Sequence, residues 1–518
     1  MTMGSINHKH LPIDLSHHIN VKSKARHPSP LKDIIRFMGK KGMISLAGGL
    51  PHPSLFPVER AIFECQPPHI EPSIETGLVS LDLGRGANSG KLDLTQFLQY
   101  GSGAGNQKLL NLARELTERM HAPPCEHEYL LHPGNTNAWS KVVGLLCENN
   151  DYVIVDEFTY PSAQALWIPL AIKATPVSAD EQGMSATGLR KMLTTWDETS
   201  MGQKRPRLLY LVPVGSNPTG VTISAQRRRE IYAVCVEFDI ILVEDDPYYC
   251  LQFPKSTIKE QTFTPVSSNK FLESLIPSFL SMDTQGRVIR LESFSKTLFP
   301  GLRLGFFVAN SVFTERLLRV TEVETQDPAG LSQALTLALF QNWGIDGYLT
   351  WLQRLQFQYR TRRDWLIIAF KDSFTVVPAT KSLVPKAQGN VACISDSNGR
   401  LLPVFSYIEP EAGMFVWSKF YFHWVRRFTE LRDVKVEDPE QAFATELWEA
   451  MAGELVLLTP GSYYHAWQGL DKTSTAARGA DPESAFFRFS FASPSKEQIE
   501  EGVRRVRNVV GQFWDVSV

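Results

Sequence analysis

Apolar residues in the middle of the chain fall into short runs, each closed by polar or turn-forming residues. Tyr152–Val155, Leu208–Val212, Ile240–Val243 and Val288–Leu291 are four such runs, rich in β-branched and aliphatic side chains. Near-continuous apolar runs of this length predict parallel strands buried on both faces. Between the second and third, Ile223–Phe238 places Ile231, Val234, Cys235 and Phe238 at helical spacing. Strand–helix–strand units of this kind predict an α/β fold built on a mostly parallel sheet, with helices on both faces. Trp351 and Trp365 fall on a further long helical stretch. Four segments lack periodicity and read as surface loops: Gln66–Gly86, Pro254–Lys270, Pro385–Pro403 and Gln468–Glu483. No internal repeat is visible.

Composition narrows the class. The chain has 518 residues, with Lys+Arg 53 against Asp+Glu 55 and a net charge of −2. So even a balance argues against nucleic acid or an anionic membrane as the main partner. Six cysteines with no CxxC pair make neither a disulfide scaffold nor a zinc ribbon, and they fit a reducing, cytoplasmic compartment. The opening MTMGSINHKH has no apolar core of a secretory signal, the closing WDVSV matches no targeting tripeptide, and no run reaches the ~20 apolar residues of a membrane span. His8, His10, His17 and His18 lie in what reads as a solvated tail, disordered to about residue 25, rather than a metal site.

Candidate chemistry gathers at strand ends. Val288–Leu291 runs into Ser293, Ser295 and Lys296, with Gly301 and Arg303 after it. A lone lysine is usually a solvated surface residue. A lysine flanked by two hydroxyls and an arginine is what a phosphate-bearing aldehyde cofactor needs: an amine for a Schiff base, and donors for phosphate oxygens. Glu244-Asp245-Asp246 closes the strand Ile240–Val243. It fits a magnesium site, a structural turn, or a carboxylate paired with a pyridinium nitrogen. Gly215–Gly220, reading GSNPTG, is a turn into a helix that also presents the amide of Asn217. Pro133–Ala138, reading PGNTNA, opens an apolar helical run, and a helix start of this composition is either an anion site or a bare cap. The last three of these four sites, in chain order, follow predicted strands, where ligands bind in open α/β sheets.

Taken together, SFSKTLFPGLRLGF, VEDDPYY and SNPTG resemble the lysine, aspartate and asparagine motifs of fold type I pyridoxal-phosphate (PLP) aminotransferases. ARHPSPLK (25–32), ISLAGGLPHPSLFP (44–57), LQYGSGAG (98–105), HPGNTNAW (132–139), EDDPYYCLQF (244–253), EAGMFVW (411–417) and FFRFSFASPS (486–495) are similar to the fungal aromatic and the kynurenine/2-aminoadipate aminotransferases. The resemblance implies a PLP-binding large domain at 75–340, a smaller α+β domain at 345–518, and a segment 26–74 that packs with the small domain and reaches a partner subunit. It implies that Lys296 is the Schiff-base lysine and proton carrier, and that Asp245, not Asp246, pairs with the ring nitrogen. Asn217 and Tyr248 would donate to the phenolic oxygen, and Tyr160 would stack on the ring. Asn135, Thr136, Ser293, Ser295 and Arg303 would hold the phosphate. Arg488 would grip the substrate carboxylate, with Gly48, Gly49 and Asn217 beside the substrate. Tyr100 would reach the neighbour's cofactor in a homodimer with a composite site. No metal is implied.

The implied reaction is ping-pong transamination between an aromatic L-amino acid (tryptophan, phenylalanine or tyrosine) and 2-oxoglutarate or phenylpyruvate, giving products such as indole-3-pyruvate. The alternatives are kynurenine or 2-aminoadipate as donor, for which Arg26 and Lys32 are candidate second cations, and a PLP-dependent lyase on the same fold. A transcription regulator would need a winged-helix domain ahead of ARHPSP, and only about 25 residues precede it, too few for a domain. A non-catalytic scaffold is disfavoured because Lys296, Asp245, Asn217 and Arg488 are all present.

Overall fold

The computed structural model describes residues 9–30, 37, 40–44, 46–47, 49–69, 77–86, 92–256 and 262–516. Its centre is a seven-stranded sheet. In spatial order the strands are Glu128–His132, Gly305–Ala309, Val288–Ser293, Ile241–Asp245, Leu208–Leu211, Tyr152–Asp156 and Lys173–Val177. Gly305–Ala309 runs antiparallel to both neighbours and the other neighbouring pairs are parallel. All four predicted apolar runs are strands of this sheet, and Ile223–Phe238 contains the helix Ala225–Glu237. That helix starts where the Ser224 hydroxyl accepts from the N–H of Arg227, and it buries Ile231, Val234 and Cys235.

A second, six-stranded antiparallel sheet orders Thr375–Pro378, Asn390–Ser395, Leu401–Tyr407, Phe415–Tyr421, Ser484–Ser490 and Thr459–Pro460. It has its own apolar core with the helix Lys496–Phe513, whose Ile499, Val503, Val506 and Val510 recur on one face. The helix Gly330–Ser373 packs on both cores and is broken at Gly344 (φ 65°, ψ 175°). A small sheet of Arg60–Cys65, Val79–Gly84 and Leu92–Asp93 lies against it. No helix among the described residues is long and apolar enough to cross a membrane.

Three expectations are corrected. Gln66–Gly86 is not a loop throughout: it holds the strand Val79–Gly84, which pairs with Arg60–Cys65 and buries Leu81 and Leu83. Pro385–Pro403 is not a plain loop: it holds Asn390–Ser395, paired with Leu401–Tyr407. Both strands are covered, so their sequence does not alternate. The opening segment is not a disordered tail from Lys9 onward. Leu15 and Ile19 are buried in the large core, and Asn20 donates to the carbonyls of Gly144 (3.0 Å) and Cys147 (2.7 Å). His17 and His18 both bond Asp239, at 2.7 and 3.1 Å, and Arg287 reaches the same carboxylate at 2.8 Å, so a cation already serves it. His8 lies outside the described residues. The sequence hid this docking because its few apolar residues have no period.

Candidate active site

The strand Ile241–Asp245 is buried throughout, and its alternation sends neighbouring carboxylates to opposite faces. One oxygen of Asp245 accepts from Asn135 Nδ2 (2.6 Å) and the other from the Tyr210 hydroxyl (2.7 Å). Burial raises the pKa of Asp245, while the bonds from Tyr210 and Asn135 and the charge of Arg290 pull it back. Glu244 and Asp246 face a different network. Arg290, fully buried on the neighbouring strand, reaches Glu244 at 2.9 Å, Asp246 at 3.3 Å and Glu292 at 2.5 Å. Arg228 stands 3.7 Å from Glu244. A cation-bridged acidic cluster of this kind serves the packing, and it leaves Asp245 as the carboxylate that faces Asn135 and Tyr210.

The strand Val288–Ser293 pairs in register with Ile241–Asp245, Leu291 opposite Asp245, and then turns. Ser293 donates its hydroxyl hydrogen to Ser295 (2.9 Å), and Ser295 accepts from Arg303 Nη1 (3.1 Å). Lys296 is half-buried. Burial lowers its pKa and the nearby positive charge of Arg303 lowers it further. The turn is braced from the long helix, where the indole of Trp351 donates to the carbonyl of Thr297 (2.6 Å).

The helix Asn135–Leu146 begins at Gly134 with no side-chain cap. Arg303 Nη2 donates to the carbonyl of Pro133 (2.9 Å), and a Cβ on Gly134 would stand 1.9 Å from that nitrogen. Its φ of 103° favours glycine, and a side chain there would also push the Arg303 guanidinium aside. Thr136 is exposed on the first turn. The Asn135 side chain donates to Asp245 and to the carbonyl of Leu291 (2.9 Å), and its backbone N–H stands at the helix start.

Across the crevice, Arg488 of the second sheet donates to Asn217 Oδ1 (2.6 Å) and to Thr459 (3.3 Å). Its guanidinium lies 4.1 Å over the ring of Phe415 and 5.1 Å from that of Tyr464. Because Asn217 spends its oxygen on Arg488, its amide N–H₂ is left to donate. Tyr248 is buried, edge-on to Phe415 at 6.1 Å, and the charges of Asp245 and Arg488 both act on its hydroxyl, whose pKa burial raises. Tyr160 is half-buried against the large core, within electrostatic reach of Tyr210, Tyr248 and Arg488. Tyr100 is 63% exposed, and Gly49 has open space around it. Gly48 and Lys32 lie outside the described residues.

Tyr210, Thr459, Phe415 and Tyr464 were not expected. Tyr210 carried one signal, a hydroxyl in an otherwise aliphatic buried run; the others touch Arg488 only through the tertiary fold.

The profile of the family described as aminotransferase class I and II matches residues 85–506. An aromatic amino acid aminotransferase of Schizosaccharomyces pombe is 37% identical over 425 residues, 78% of this chain and 82% of that protein. An L-tyrosine:2-oxoglutarate aminotransferase of Serpula lacrymans is 33% identical over 471 residues, 87% of this chain and 84% of that protein. The crystal structure of an aminotransferase from Candida albicans is 30% identical and superposes with a TM-score of 0.84, covering 98% of this chain and 100% of that one.

Proposed function

Because this chain belongs to the class I and II aminotransferase family, whose cofactor is PLP, we propose that it moves the amino group of an aromatic L-amino acid to a 2-oxo acid. Tryptophan, phenylalanine and tyrosine are the donors, and 2-oxoglutarate or phenylpyruvate the acceptor. One observation carries the reading. Asp245, doubly hydrogen-bonded, ends the strand beside the one that delivers Lys296, and Arg488 bonds Asn217 across the crevice.

The residues present fit the cofactor. The first-turn N–H groups after Gly134, the hydroxyls of Ser293 and Ser295, and Arg303 form a cradle for a phosphate, with the backbone of Asn135 and Thr136 in it. Bound PLP supplies an aldehyde carbon for the amine and a protonated ring that accepts the electron pair of the broken Cα–H bond. Asp245 would keep the proton on the ring nitrogen. A positive nitrogen beside it in turn favours its ionised form. The amide N–H₂ of Asn217 and the Tyr248 hydroxyl would donate to the phenolic oxygen, and Tyr160 would stack on the ring. With the cofactor bound, Lys296 would take and return the proton of substrate Cα, and its lowered pKa keeps more neutral amine available for this. Arg488 takes the substrate carboxylate bidentately and so fixes the Cα–H bond.

Donor and acceptor use the same guanidinium in turn, which makes the kinetics ping-pong. The rings of Phe415 and Tyr464 around Arg488 favour a flat apolar side chain. Tyr100 and the exposed Ile44, Leu46 and Leu55 (63%, 83%, 96% and 77%) favour a homodimer that covers them and completes each site from its neighbour. Six unpaired cysteines favour the cytoplasm.

A panel of amino donors and 2-oxo acids with the PLP-loaded protein tests the assignment. Aromatic donors are expected to give their 2-oxo acids with matching amination of the acceptor. A preference for kynurenine or 2-aminoadipate would replace the substrate. Release of pyruvate and ammonia without amine transfer would reject transamination.

A further inference from the structure

A second cavity, of about 420 Å³, lies between the two sheets, and none of the residues assigned above to cofactor or substrate lines it. Its volume is within the roughly 300–1,000 Å³ of small-molecule sites. Its floor is the carboxyl end of the large sheet, where Asp156 ends its strand and Ser216 follows Leu208–Leu211. Ligands of open α/β sheets collect at such edges. Its roof is an aromatic wall: Trp417 and Phe486 stack at 5.1 Å with an interplanar angle of 10°, and Phe158 packs on both at 5.0 and 4.7 Å.

Charges of both signs line the same space. Asp156, Glu157 and Arg478 are on its walls, with Lys386 and with Lys419, which pairs with Asp481. Asp156 Oδ1, Trp417 Nε1 and Arg478 Nε are buried without a hydrogen-bond partner among the described residues. Lone buried polar atoms of this kind are costly and call for a partner. Burial, then the charge of Glu157, pushes the Asp156 carboxyl up to about 7, the behaviour of an acid without a nearby cation. His465, also on the wall, is lowered to about 4 by burial and stays neutral, so it supplies none.

We propose that this cavity is an effector site for a free aromatic amino acid, its ammonium on Asp156 and Glu157, its carboxylate on Arg478 and its ring against Trp417 and Phe486. The acid pair selects the ammonium, the arginine selects the carboxylate, and the stacked rings select a flat side chain. The site shares its walls with the substrate pocket. Ser216 precedes Asn217, Pro460 follows Thr459, and Trp417 is the cross-strand partner of Arg488. A ligand there bears on the position of Arg488 without touching the substrate.

The test is calorimetric and separate from turnover. L-Tryptophan is titrated into the full chain loaded with pyridoxamine phosphate, which cannot take a second amine. Saturating 3-phenylpropionate, a carboxylate with no amine or oxo group, occupies Arg488. One tryptophan per chain is expected to bind still. Affinity falls at least about tenfold in Arg478→Gln and in Asp156→Asn, and binding is lost in Ala480→Trp, which fills the cavity. Single-turnover amination of 2-oxoglutarate by their pyridoxamine-phosphate forms, with no aromatic amino acid present, reports the intact fold, and failure of that amination in all proteins would strike the function above, not this site. Loss of tryptophan binding when 3-phenylpropionate is present, or equal affinity in the wild type and all active variants, overturns the proposal. Should a variant lose its basal rate, the wild-type competition alone decides.

Discussion

Arg488 is held from three sides, by Asn217, Thr459 and the face of Phe415. A lysine there keeps the charge but loses the planar fork. Arg488→Lys is expected to lower kcat/KM about a hundredfold, roughly 2.7 kcal/mol, for donor and acceptor alike, since both place a carboxylate on it. An effect on one substrate only would remove it from the shared role. Lys296→Ala is expected to abolish both transamination and the visible absorbance of the lysine-linked cofactor; keeping both would sink the assignment. The lysine amine is lowered by burial first and then by Arg303. Its base form is lost as pH falls through that lowered value, so the acidic limb of the rate profile reports it. Removing the positive neighbour raises the lysine pKa, and Arg303→Gln at saturating cofactor should move that limb to higher pH. An unmoved limb would contradict the coupling. At this scale the resemblance alone separated Asp245 from Asp246; in the structure Asp245 bonds Asn135 and Tyr210, and Asp246 faces Arg290. Tyr210 was not legible, because an aliphatic run gives no reason for a hydroxyl except a partner from another strand.

Among the elements, the helix Gly330–Ser373 links the two cores and bends at Gly344. Its φ of 65° and ψ of 175° lie in a region that only glycine occupies readily, although a Cβ would meet open space. Gly344→Ala therefore tests backbone strain without a clash. A loss of about 1–3 kcal/mol is expected in urea unfolding; no loss would mean that the bend relaxes. The same helix braces the lysine turn through Trp351 and Thr297. Periodicity placed Trp351 on a helix, but its target lies 54 positions away in sequence, beyond any local pattern. The hairpin at 390–407 was missed for the reverse reason. Both its faces are covered, so the alternation that marks a half-exposed strand is absent.

For the whole molecule, Tyr100, Ile44, Leu46 and Leu55 are exposed, and the proposed homodimer would cover them. Light scattering at micromolar concentration is expected to give twice the 58.3 kDa chain mass. Mixing Tyr100→Phe with Lys296→Ala subunits should restore activity that neither homodimer has in full, and a monomer, or no complementation, would reject the composite site. The sequence by itself determined the strand runs, the helix that joins two of them, and the residue types collected at their carboxyl ends. Those follow from local patterning, which a linear chain carries in full. Only the tertiary structure decided that the Asn135 side chain turns to Asp245, that Tyr210 completes that carboxylate, that Leu15 and Ile19 dock an apparent tail, and that a charged aromatic cavity stands beside Arg488. Each of these depends on groups far apart in sequence meeting across packed elements, and burial and partner choice exist only once those elements have met.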